Sequence, residues 1–113
     1  MIGRRILVVE DDPQVQALII TALRAEGADA LGAHDVREAF LAEGQFDLLV
    51  LDLRLPNGDG RDVAQHYAGI PAVFITGYDQ DLGKFGALNP EDVVPKPFTV
   101  RELMAVARRK FLP

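Results

Sequence analysis

The chain has no cysteine, which excludes disulfide frameworks, thiol nucleophiles and thiolate metal sites. No apolar run approaches the roughly 20 residues that a membrane-spanning helix needs. The opening Met1-Ile2-Gly3-Arg4-Arg5-Ile6 lacks the longer apolar core and small-residue cleavage site of a signal peptide. A cytoplasmic location is therefore expected. Excess positive charge is missing too. The net charge of −5 argues against a general nucleic-acid binder, so neither nucleic acid nor membrane is expected as a direct partner. The glycine-containing turns form neither a dinucleotide fingerprint nor a P-loop, and no internal repeat or low-complexity linker interrupts the chain. What remains is an ordinary globular composition, 49% hydrophobic and 26% charged, over 113 residues. That length suits one domain with a real core and leaves little room for a second module.

Short apolar strands alternate with helical patterns. Ile6–Val9 reads as the first strand. Pro13 suits a first helical turn capped by Asp12. Val15, Leu18, Ile19, Ala22 and Leu23 follow with helical period, and Gly27 supplies the stop. Ala28–Ala33 is a weak second strand. Asp35 caps a helix through Val36, Ala39 and Phe40 that Gly44 ends. Phe46–Leu51 is a third strand whose near-continuous hydrophobicity suits burial on both faces. A short helix follows at about residues 61–67, then strands at Ala72–Ile75 and Asp92–Pro95. Thr99 caps a last helix whose Val100, Leu103, Met104, Ala107 and Phe111 share one face. Five β/α units predict an α/β fold, a flavodoxin-like doubly wound parallel sheet of five strands in the order 2-1-3-4-5. Strand five is then an edge, which tolerates the missing N–H of Pro95.

That strand order sets strands one and three side by side. The first ends in Glu10-Asp11-Asp12, and the third runs into Asp52 and a Pro/Gly turn. Two buried strands that stop on acids bring like charges together, which is costly without a cation between them. The pattern reads as a divalent metal site beside a reactive carboxylate.

Five elements in order then resemble the receiver domain of two-component response regulators, over residues 1–113. Glu10 and Asp11 match its acidic pair, and Asp52 its phosphoryl acceptor. Asp52-Leu53-Arg54-Leu55-Pro56-Asn57-Gly58-Asp59-Gly60 is similar to its acceptor loop. Thr76 matches its phosphate-sensing hydroxyl, and Lys96-Pro97 its lysine and following proline. The resemblance implies Mg²⁺ held by Asp11, Asp52 and the main-chain carbonyl of Arg54, with Glu10 acting through a bound water. It implies that Asp52 is the nucleophile toward a phosphohistidine of a sensor histidine kinase or histidine phosphotransfer protein. Lys96 would supply a cation opposite the metal, Thr76 a hydroxyl donor, and Gly77 space and a backbone N–H. A cis Lys96–Pro97 bond is implied as well. The expected protein is a single-domain regulator, not an enzyme beyond its own phosphorylation and slow autodephosphorylation, signalling by protein binding or phosphorelay.

Other residues have plainer readings. Asp12 and Asp59 are expected to cap helices and Gly60 to serve a turn. His34 and His66 lack metal-ligand spacing and sit on surface segments. Arg101, Arg108, Arg109 and Lys110 form the exposed side of the last helix, the later ones favoured by its dipole. A phosphatase of the haloacid dehalogenase type would need a second acid where Arg54 stands. A receiver-like scaffold that is never phosphorylated would have no need of the full set. Three departures from the family pattern bear on output. The stretch from Asp52 to Thr76 is short, predicting a trimmed third helix. Residues 77–90 carry three glycines and a proline, predicting a weak or degenerate fourth helix. Val93 stands where a switch aromatic is usual, so order in Tyr78–Asn89, with Tyr78 or Phe85 as contacts, is expected to carry the signal instead.

Overall fold

The structure is a computed structural model that describes residues 1–77 and 88–112. Five strands form one parallel sheet: β1 (Arg5–Val9), β2 (Asp29–Ala33), β3 (Leu48–Asp52), β6 (Ala72–Thr76) and β7 (Val93–Pro95). Between them, β4 (Arg54–Leu55) and β5 (Gly58–Asp59) make a small antiparallel hairpin directly after Asp52. The sheet order is β2-β1-β3-β6-β7, the doubly wound order expected from the sequence. The edge strand β7 pairs Pro95 with Thr76, so the proline's missing N–H costs no ladder bond on its outer side.

Alternation along the strands sorts the core into two layers. Ile6, Val8, Leu48 and Val50 pack with α1 (Pro13–Ala25) and the last helix, α4 (Val100–Arg109). Leu7, Val9, Leu49 and Leu51 face the other way, toward α2 (Val36–Leu41) and α3 (Gly60–His66). All eight are fully buried, so β1 and β3 read as unbroken hydrophobic runs. Truncating one of these leucines to alanine would cost about 2–5 kcal/mol.

The helix starts follow the expected chemistry. The Asp12 carboxylate accepts from the Gln14 and Val15 N–H groups, and Asp35 and Thr99 cap α2 and α4. Asp59 and Asp62 form a reciprocal capping box at the start of α3, which spans only seven residues, the trimmed helix expected.

Some boundaries differ from the sequence reading. Strand β3 starts at Leu48 rather than Phe46, because the Asp47 N–H bonds the Arg5 carbonyl and Asp47 accepts from the Arg5 N–H at the base of β1. Phe46 instead packs edge-on against Tyr67. Asp92 belongs to a short 3₁₀ turn, Pro90–Asp92, capped by Asn89. The buried stripe of α1 is Gln16, Ile19 and Leu23, and Leu18 is 49% exposed. Ile19 and Leu23 are fully buried and Val15 and Ala22 pack beside them, so the expected face holds except at Leu18. The readings for a weak helix and for Tyr78 and Phe85 as contacts fall mainly on residues 78–87, which lie outside the described residues. No helix among the described residues is long and apolar enough to cross a membrane.

Candidate functional site

The C-terminal ends of β1, β3, β6 and β7 open onto one pocket of about 770 Å³, lined by Asp11, Asp52, Arg54, Gly77, Lys96 and Pro97 with the apolar Val15, Leu18 and Phe98. This is where open α/β sheets keep their ligands. Glu10, Asp11 and Asp52 each offer a carboxylate oxygen, and these atoms lie within 4.8 Å of one another. Glu10 and Asp52 are buried and Asp11 is exposed, so the cluster is open on the Asp11 side. Three carboxylates at this spacing suit a hard divalent cation with oxygen ligands, with water completing the shell.

Lys96 bridges the two buried carboxylates. Its Nζ donates to Asp52 Oδ2 at 3.0 Å and to Glu10 Oε2 at 3.2 Å. The Lys96–Pro97 bond is cis, as the resemblance implied. The Lys96 N–H donates to the Thr76 carbonyl at 2.6 Å, which ties β7 to β6 where the lysine leaves the sheet. Both Asp52 oxygens have donors, because the Arg54 N–H reaches Oδ1 at 3.0 Å. Thr76 lies one residue beyond the Asp52↔Ile75 pairing of β3 and β6 and is only 2% exposed. Gly77 lines the pocket, and a Cβ there would meet no atom of the described residues within 4 Å.

The electrostatics follow from this crowding. Burial, then the negative charge of Asp52, raises the Glu10 pKa from 4.5 to about 7, against the lowering effects of the Asp12 N–H and Lys96. Burial alone would lower the Lys96 pKa. Its hydrogen bond to Asp52 and the charges of Asp52 and Glu10 outweigh that and raise it. One ammonium thus faces two buried carboxylates with a third beside them, a site short of positive charge. A bound divalent cation would supply it.

The structure brings together Glu10, Asp11, Asp52, Arg54 and Lys96, with Thr76 at the end of the neighbouring strand. Neither His34 nor His66 lines this pocket. His66 stacks on Phe40 with ring centroids 4.5 Å apart. Two residues were undervalued by the sequence reading. Gly60 is the first residue of α3, where a Cβ would stand 2.5 Å from the Asp52 carbonyl oxygen. Its glycine character is required by close packing against the site rather than by a turn. Gln16 is a buried polar residue within the apolar stripe of α1. Spacing of three and seven residues from Ile19 and Leu23 is the signal that could have found it.

Comparison with known proteins agrees with this geometry. The response regulator receiver domain family matches residues 6–108, and the chain belongs to that family. It is 36% identical over 112 residues to the transcriptional regulatory protein TrcR of Mycobacterium tuberculosis. That match covers 92% of this chain and 44% of TrcR, so the chain spans less than half of its relative's length. The non-phosphorylated HemR receiver domain of Leptospira biflexa is 31% identical with a TM-score of 0.80, covering 98% of this chain and 97% of that one. The response regulator TrrA of Thermotoga maritima, in complex with Mg²⁺-BeF, is 28% identical with a TM-score of 0.79 over 96% of this chain and 99% of its own. The chain is therefore a receiver domain of a two-component system.

Proposed function

We propose that this domain accepts a phosphoryl group on Asp52 from a phosphohistidine of a sensor histidine kinase or histidine phosphotransfer protein, in a Mg²⁺-dependent reaction. The observation that carries the reading is the convergence of Glu10, Asp11 and Asp52 within 4.8 Å, faced by Lys96 on Asp52 at 3.0 Å. Asp11, Asp52 and the Arg54 carbonyl would hold the ion, with Glu10 behind a water. The complex of TrrA with Mg²⁺ supports that choice of metal. Mg²⁺, when bound, neutralises the carboxylates and the incoming phosphoryl oxygens.

An Asp52 carboxylate oxygen attacks phosphorus and forms an O–P bond. The P–N bond breaks, and its electron pair returns to the histidine ring nitrogen. The Arg54 N–H fixes the carboxylate plane through Oδ1. Lys96 then moves its charge from the carboxylate to the transferred group, and Thr76 donates its hydroxyl to a phosphoryl oxygen. Phosphoryl transfer needs mainly positioning and charge stabilisation, which this set supplies. The domain catalyses only its own phosphorylation and slow hydrolysis, and its output is protein binding or onward transfer.

Incubation with acetyl phosphate and Mg²⁺ tests this reading. The parent domain should be labelled, whereas Asp52→Asn, or the parent in excess chelator, should not. Equal labelling of Asp52→Asn would refute the assignment, and no labelling of any form would favour an unphosphorylated binding module.

A further inference from the structure

The Gln16 side chain performs no step in the chemistry above, yet it is buried to within 8% exposure on an otherwise apolar helix face. Buried amides are retained only where their hydrogen bonds are met. Its Nε2 donates to the Ala33 carbonyl at 2.8 Å and to the Glu10 carbonyl at 3.2 Å. The Glu10 N–H in turn donates to the same Ala33 carbonyl at 3.1 Å. The main chain at Glu10 is thus held on both sides of its Cα, the N–H by the end of β2 and the C=O by α1. These bonds lie just past the last β1–β2 pair, Val9↔Ala33, where the ladder no longer fixes the chain. With two carbonyls facing it, the group there must be the amide nitrogen. The His34 Nδ1, 3.5 Å away, lies at the limit of any further bond.

Gly32 makes room for this arrangement. A Cβ at Gly32 would stand 2.6 Å from Gln16 Oε1 and 2.8 Å from its Cδ. The amide therefore lies over a gap on β2 that no other residue type leaves.

We propose that Gln16, seated over Gly32, is a positioning residue for the divalent-cation site: it holds the Glu10–Asp11 main chain so that both carboxylates face Asp52. This deepens the metal reading above and rests on it. Partners that orient metal ligands typically alter affinity by about 10–100-fold when removed. Gln16 acts through the backbone, so the lower end of that range is expected.

The test is Mg²⁺ titration of the folded domain without phosphodonor, by calorimetry and by amide resonances of residues 10–12. Gln16→Met keeps length and volume but removes both donors. Gly32→Ala keeps the glutamine but displaces its amide. Each should weaken Mg²⁺ binding by about tenfold. Leu23→Ala, a cavity variant on the same helix away from the amide, should lose stability but bind Mg²⁺ like the parent. Should Gln16→Met fail to fold, Gly32→Ala decides alone. Binding within twofold of the parent in the folded variants would overturn the proposal, and so would an equal loss in Leu23→Ala. A parent domain that binds no Mg²⁺ would overturn the metal reading itself, a result distinct from either.

Discussion

Replacing Gly60 with alanine probes how tightly the acceptor residue is packed. The new Cβ would lie 2.5 Å from the Asp52 carbonyl oxygen, 3.2 Å from its carbonyl carbon and 3.2 Å from Leu51 Cβ. The nearest atom is backbone in the central strand β3, so no side-chain rotation relieves the contact. The Gly60 N–H also bonds the Leu53 carbonyl at 3.1 Å, which pins the helix start to the same strand end. Overpacking of this kind costs about 1–3 kcal/mol. Reduced freedom of the unfolded chain returns about 0.4–1 kcal/mol. A net loss of about 0.5–2 kcal/mol is expected, read as a lower urea midpoint at unchanged slope. The acetyl phosphate labelling rate should fall with it, because the shift is transmitted to Asp52. Gly77→Ala is the control: its Cβ meets nothing within 4 Å among the described residues, so stability should stay within about 0.5 kcal/mol of the parent. A Gly60→Ala domain as stable as the parent would refute the packing argument.

Three further outcomes are expected. Glu10 has its folded pKa raised to about 7 from 4.5, so its contribution to stability is full below about pH 4.5 and is lost as pH rises through about 7. Metal-free Glu10→Gln should therefore gain on the parent between pH 5 and 8, by an amount on the order of 1–3 kcal/mol; a pH-independent difference in urea melts would count against the burial argument. Lys96→Met leaves the Glu10 and Asp52 carboxylates without their ammonium, so the metal-free protein should lose about 1–3 kcal/mol, and Mg²⁺ should raise its melting temperature by more than the parent's. An equal Mg²⁺ shift in both would contradict this. Tyr67→Phe removes an O–H that donates to the Ala39 and Ala42 carbonyls at the end of α2, and thermal melts should show a loss of about 1 kcal/mol. No measurable change there would show that water replaces the bond.

The sheet order was legible because β/α alternation with right-handed crossovers leaves few orders and Pro95 marks an edge. The acidic cluster followed from that order: like charges at two neighbouring strand ends demand a cation. The helix faces were legible at most positions, including all five assigned to the last helix, and failed at Leu18 and Phe40. In α1, Leu18 fits a helical period as well as Ile19 does, and only the angle at which the helix meets the sheet sends Leu18 to the pocket rim. Gly60 was undervalued because its importance lies in a close approach to a main-chain carbonyl on another element; Gln16 shows its burial by spacing, but the carbonyls it bonds leave no mark in the sequence. The small hairpin β4–β5 was visible only as a turn, since two-residue strands have no period to detect.

The most direct test of the account is chemical mapping of the phosphoryl group. After acetyl phosphate treatment with Mg²⁺, borohydride reduction converts an aspartyl phosphate to homoserine, which peptide mass spectrometry can place on the chain. The account predicts homoserine at position 52 alone, dependent on Mg²⁺. Homoserine at Asp11 or another acid, or modification at position 52 that persists in excess chelator, would contradict it.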